Sequence, residues 1–204
     1  MKEFWNSLLT EKSWEILQEL KKEYEFILIG GWAIYLLTKQ KKSKDVDIVV
    51  SIKELEKLKK ENLSKNDNLK KYEIKRGEID IDIYTEYYSK LAIPVEDIKE
   101  YTIKTEGFSV PKPEIMLILK QAAYKDRENS IKGEKDLIDI ASIIFLLNLD
   151  FNFYLKILKK YKMETFLDEL ARLIKNFKDY NSLNLTPREL KIKKNKVINI
   201  LKKV

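Results

Sequence analysis

FILIGGWAIYLLTKQKKSKDVDIVV, residues Phe26 to Val50, decides the fold. Phe26 to Ile29 form an apolar run suited to a buried strand. Gly30 and Gly31 follow, in a chain with only five glycines. Trp32, Tyr35 and Leu36 then recur at helical spacing. Further on, Asp45 and Asp47 bracket one valine and open a second apolar run, Ile48 to Val50. The predicted order is strand, glycine turn, helix, carboxylate pair, strand.

Upstream, residues 3–24 predict one or two helices, with Trp5, Leu8, Leu9, Trp14, Leu17 and Leu20 as the apolar set. Downstream, Ser51 with Glu54 three residues later has the spacing of a capping box and predicts a helix start. LKKYEIK and EIDIDIYTE flank Arg76-Gly77 and predict a β-hairpin. YTIKTEGFSV predicts a second short pair of strands around Gly107. The texture changes at PKPE, residues 111–114. From there only helical patterns occur, at 114–127, 132–149, 151–161, 163–180 and 187–203. The last has Thr186 as cap, Pro187 in the first position and Glu189 completing a second capping box. The expected fold class is α+β: a mixed sheet flanked by helices over 1–110, then a helical bundle over 111–204.

The composition removes several chemistries. The chain has no Cys and no His, which excludes thiol nucleophiles, histidine bases and Cys/His zinc sites. Carboxylates, lysines, hydroxyls and backbone amides remain. A carboxylate cluster without imidazole or thiolate selects a hard, oxygen-loving cation, magnesium or manganese. No apolar run approaches the roughly 18 residues of a membrane helix, and the N-terminus lacks a signal peptide's order, so a cytoplasmic protein is expected. The net charge of +7 is unevenly placed. Residues 156–204 hold 14 basic against 5 acidic side chains, which suits either a polyanion partner or a solvated lysine-rich helical face.

Each motif has a chemical and a plain structural meaning. A strand that ends in Gly30-Gly31 and turns into a helix presents backbone amides and a helix dipole to an anion, without side chains in the way. The same pair also suits a tight turn. Asp45 and Asp47, two apart in a strand, lie on one face and can share one or two divalent ions. GEIDIDIYTE alternates, with Ile79, Ile81 and Ile83 on one face and Glu78, Asp80 and Asp82 on the other. Three carboxylates in a row repel one another unless a cation or lysines sit opposite. Asp82 or Asp80 supplies the third carboxylate; Asp82 is favoured because DIYTE parallels DIVV. Trp32 and Tyr35 serve either a base or the core, and their spacing favours the core.

Taken together, Gly30-Gly31 with Ala33, then Ser43, Asp45 and Asp47, then a third aspartate on a later strand, resemble the nucleotidyltransferase superfamily of DNA polymerase beta. Within it the chain is most similar to the AbiEii-type nucleotidyltransferases, many of them toxins of toxin–antitoxin pairs. GGWAIYLL…KSKDVDIVV fits their Gly-Gly-x-Ala and Ser-x-Asp-x-Asp signature; PEIMLILKQAAYKDR and KDLIDI resemble later segments of that family. The match spans about residues 26–140, and residues beyond 150 carry no family marker.

The resemblance implies an enzyme that moves a nucleoside monophosphate from an NTP to an acceptor hydroxyl. Asp45, Asp47 and Asp82 would be catalytic and bind Mg2+ or Mn2+. Gly30, Gly31, Ser43, Lys120, Asp136 and Asp139 would serve the nucleotide. Lys120 has a second reading, its stem lying along the core edge. Asp136 and Asp139, three apart on a helix, either order Lys120 or pair with Lys132, Lys135 or Arg127. The expected acceptor is RNA such as a tRNA end; a protein or small-molecule acceptor and a non-catalytic nucleotide- or RNA-binding module are the alternatives. A cognate antitoxin is an expected partner; a membrane is not.

Overall fold

A computed structural model describes residues 2–203, with side chains from Ser7 to Lys203. Trp5 of the expected apolar set lies outside the described side chains. The architecture is α+β, and the chain divides into two compact units, Met1–Lys112 and Pro113–Val204.

The first unit is built on a seven-stranded mixed sheet. Its strands are β1 (Ile27–Ile29), β2 (Val46–Val50), β3 (Ser64–Asn66), β4 (Lys71–Arg76), β5 (Ile79–Thr85), β6 (Thr102–Thr105) and β7 (Phe108–Pro111), in the spatial order β3-β4-β5-β2-β1-β7-β6. The helices are α1 (Lys2–Glu23), α2 (Gly30–Thr38), α3 (Ile52–Leu58) and the short α4 (Val95–Ile98). The one or two helices expected over 3–24 are thus a single helix, which ends at Glu23. Both expected hairpins are present, β4 with β5 and β6 with β7, each antiparallel. β3 was not expected: its residues Ser64, Lys65 and Asn66 are polar, and it forms because β4 offers an edge to pair with.

Register gives the sheet its two characters. Val46 pairs with Ile81 and Ile48 with Ile83, so the isoleucine face of β5 continues across β2 as buried core. That face is the buried one because alternation puts every second residue there. Trp32 of α2 is 1% exposed; its indole donates to Ser13 Oγ at 2.8 Å and its ring meets Trp14 at 5.0 Å. Trp32 is therefore a core residue tying α2 to α1. Ser51 caps α3 by accepting from the Glu54 amide at 3.2 Å. The reciprocal half of that capping box is replaced: the buried Glu54 carboxylate instead accepts from the Glu25 amide at 3.2 Å and from Lys57 at 2.6 Å.

The second unit is helical: α5 (Pro113–Arg127), α6 (Ile131–Leu146), α7 (Phe151–Lys160), α8 (Thr165–Asn176) and α9 (Pro187–Leu201). Caps start three of them where the sequence provides an oxygen. Ser130 accepts from Gly133, Asp150 from Phe153, and Thr186 and Glu189 form the expected reciprocal box. α8 stops at Asn176, four residues earlier than its periodicity suggests, and a short 3-10 turn follows at Asn181–Leu183. Buried polar groups are matched across helices. The Tyr154 hydroxyl donates to Gln121 Oε1 at 2.6 Å, and Gln121 Nε2 donates to the Phe166 carbonyl at 2.8 Å. These two bonds join α7, α5 and α8.

Candidate functional site

The Gly30-Gly31 turn is built around the side chains that follow it. Gly30 adopts φ +64°, which a side chain rarely tolerates, and a Cβ there would overlap the Asp47 carboxylate. A Cβ on Gly31 would stand 2.8 Å from Ser43 Oγ. Both glycines are therefore required by close approach: the carboxylate of Asp47 lies on Gly30, and the hydroxyl of Ser43 lies on Gly31. No side chain caps the start of α2, because the cap position is Ile29. The loop from α2 to β2 also carries Lys41, Lys42 and Lys44, on either side of Ser43.

Asp47 and Asp82 are register partners on the parallel strands β2 and β5. Paired positions in a parallel ladder share a face, so both carboxylates emerge on the side opposite the isoleucine core. Asp45 lies just before β2, and its charge acts on Asp82. Gly30, Gly31, Ser43, Asp45, Asp47 and Asp82 are thus gathered in one neighbourhood. Asp80 shares the face but lies further out, its side chain 60% exposed against 20% for Asp82.

Lysines answer the repulsion along β5. Lys71 Nζ is 2.6 Å from Asp82 Oδ2, Lys75 is 3.6 Å from Asp80, and Lys12 of α1 is 3.3 Å from Glu78. Lys71 also reaches Glu73 at 3.0 Å, and Asn66 Nδ2 donates to the same Glu73 at 3.0 Å. Burial pushes the Asp82 carboxyl above its usual range; Lys71 pulls it back, while the Glu73 and Asp45 charges push it further up. Burial opposes the Lys71 charge, but its bonds to Asp82 and Glu73 outweigh that and hold the ammonium above its ordinary value. Lys71 and Glu73 were not among the candidates. KYEIKR reads as an ordinary strand, and only its pairing with β5 sets Glu73 opposite Asp82.

Among the described residues no three His, Cys, Asp or Glu side chains stand together closely enough to hold an ion. In donor type the site fits a hard divalent cation, since Asp45, Asp47 and Asp82 offer only carboxylate oxygens. The Lys71 ammonium on Asp82 shows that this carboxylate accepts a cation, and it fills one side of it.

Lys120, Asp136 and Asp139 belong to the second unit and form a cluster of their own. Lys120 Nζ is 3.0 Å from Asp136 and 2.6 Å from Asp139, and Arg127 Nε is 2.6 Å from Asp136. Asp136 is 1% exposed, so this is a buried ion network across α5 and α6. Burial works to lower Lys120, and the two aspartates more than reverse it.

The chain matches no family model and no curated protein. Among solved structures it is similar to an antigenic nucleotidyltransferase-like protein of Paracoccidioides brasiliensis, with 18% identity, TM-score 0.48, and 87% of this chain and 93% of that one covered. It is also similar to a Helicobacter pylori protein assigned provisionally as a nucleotidyltransferase, with 20% identity, TM-score 0.49 and 97% of each chain covered. A third is JHP933 of Helicobacter pylori, with 19% identity, TM-score 0.44, and 97% of this chain and 94% of that one covered. These are distant likenesses of fold. Among the described residues no helix is long and apolar enough to cross a membrane.

Proposed function

We propose that the chain is a magnesium- or manganese-dependent nucleotidyltransferase that moves a nucleoside monophosphate from an NTP to an acceptor hydroxyl. One observation carries this reading: Asp47 is seated on the Gly30 turn and is the register partner of Asp82. The turn that suits a phosphate and the carboxylates that suit its counter-ion are therefore parts of one structure. The amides at the start of α2 and the dipole behind them bind the triphosphate, with Ser43 at the same turn. Lys41, Lys42 and Lys44 add positive charge beside them. Asp45, Asp47 and Asp82 would hold the metal, which supplies charge neutralisation on the phosphates and an easier ionisation of the acceptor hydroxyl. The hydroxyl oxygen bonds to the α-phosphorus, the α–β bridging bond breaks, and pyrophosphate leaves.

RNA is the proposed acceptor, a tRNA end in particular. The first unit has 21 basic and 21 acidic residues and is neutral, whereas the second has 19 against 12 and carries the whole excess of +7. In that unit a cavity of about 410 Å³ is lined by Lys175, Lys178, Lys191 and Lys194 with Phe177 and Tyr180, and no carboxylate is among its lining residues. Cationic side chains beside aromatic ones suit phosphates and bases together. With the AbiEii-type resemblance, an RNA acceptor fits a toxin role held in check by an antitoxin.

The test is transfer of radiolabel from each of the four NTPs to total tRNA and to protein, with magnesium. Labelled tRNA that disappears with Asp47→Ala supports the reading. Identical behaviour of wild type and Asp47→Ala removes it. A second reading, nucleotide or RNA binding without turnover, is favoured by the Lys71 contact on Asp82. NTP binding by calorimetry with no pyrophosphate release would establish it instead.

A further inference from the structure

Across three strands of the sheet, Asp47, Asp82 and Glu73 stand in one row: Asp47 pairs with Asp82, and Asp82 pairs with Glu73. All three share a face. Lys71, two residues before Glu73 on β4, shares it too, and its Nζ sits 2.6 Å from Asp82 and 3.0 Å from Glu73. The lysine pairs of Asp80 and Glu78 are different in kind, because all four of those side chains are more than half exposed and such pairs hold little. The Lys71 side chain is 12% exposed, so its ammonium is lodged rather than solvated.

We infer that Lys71 is a resident cation, filling the position on Asp82 that a divalent ion would take, and that the ion completes the site only by displacing this ammonium onto Glu73. The inference rests on the nucleotidyltransferase reading and adds a control step to the same site. Glu73 makes the step economical. It already holds one side of the ammonium, and Asn66 fixes it, so Lys71 keeps a carboxylate after leaving Asp82. Metal binding then depends on the competition between two cations for one carboxylate.

The experiment is Mn2+ titration of the purified protein, read by the loss of the free-ion electron paramagnetic resonance signal. Wild type is compared with Lys71→Met, Lys71→Arg and Asp47→Asn. Lys71→Met should bind Mn2+ about tenfold more tightly, the scale of an ordinary coupling between two ligands. Lys71→Arg, which keeps the charge, should stay near wild type. Equal or weaker binding by Lys71→Met overturns the inference, and if Asp47→Asn abolishes the binding, the metal reading itself survives. Absence of Mn2+ binding in every form overturns both. Should Lys71→Met fail to fold, Glu73→Gln takes its place. With one fewer carboxylate to receive it, Lys71 stays on Asp82 and Mn2+ affinity falls severalfold; unchanged or tighter binding by that variant overturns the inference.

Discussion

Asp47 faces Asp82 one-to-one across a parallel strand pair, with the Asp47 carboxylate resting on the α-carbon of Gly30. The relationship joins a helix start to two acidic side chains that are 35 positions apart in the chain. A shift of either strand by one residue would turn one of the two carboxylates into the isoleucine core.

Asp47→Asn removes charge without removing volume, so its effect should fall on chemistry. Transfer should drop by on the order of 100-fold or more, the scale of a lost electrostatic contact at a reacting centre. Melting temperature should change little. Pyrophosphate release and thermal unfolding on the same preparation check both halves, and full activity in this variant would remove Asp47 from the site.

The two glycines should respond differently to alanine. Gly31→Ala meets Ser43, and overpacking of this kind costs about 1–3 kcal/mol. Changing Ser43 to Gly in the same chain should recover most of that, because Ser43 Oγ and Cβ are the atoms in the way. Gly30→Ala also has a φ of +64° to sustain, so clearing Asp47 would leave it strained by about 1–2 kcal/mol. Urea unfolding of the single and double variants separates the two cases.

Lys120→Met should destabilise the protein by about 3–5 kcal/mol, since it removes the ammonium that bonds both the buried Asp136 and Asp139. The pH dependence has a definite sign. Lys120 is held above its ordinary value in the folded protein, so its contribution is complete below the unfolded lysine's range and is lost only as pH rises through the higher folded value. Unfolding midpoints should therefore show no loss from this cluster between pH 7 and 9, and an alkaline loss that Lys120→Met lacks.

The capping box of α9 makes an acid-side prediction. Glu189 is held below its ordinary value, first by the Thr186 amide and then by the Thr186 hydroxyl. Its stabilisation is present above the unfolded glutamate's range and disappears as pH falls through the lower folded value. Thr186→Ala should cost about 1 kcal/mol at neutral pH, and Glu189→Gln should flatten the acid dependence of stability. Circular dichroism melts from pH 3 to 7 measure both.

Local signals in the sequence were sufficient for much of this. Gly30-Gly31 between an apolar run and a helical one marks a strand–turn–helix, because both periods show within ten residues. The alternation of Ile79, Ile81 and Ile83 separates the two faces of β5 before its neighbours are known. Thr186, Pro187 and Glu189 specify a helix start through bonds that span three residues. Ser51 and Glu54 show where such signals stop. The backbone half of the box forms, but the Glu54 carboxylate goes to Glu25, a choice made by packing.

By itself, the sequence determined which residues lie on which face of each element, and that any site must work through oxygen, lysine and amide groups. Tertiary structure alone decided that Asp82 lies opposite Asp47, that Glu73 extends the row, and that Lys71 is lodged between two carboxylates. It also decided that Trp32 faces Ser13 rather than a ligand. The physical reason is range. Periodicity and capping are set by neighbours within a turn or two, whereas strand register is set by the burial of whole faces contributed by distant segments, and no short window of residues contains that information.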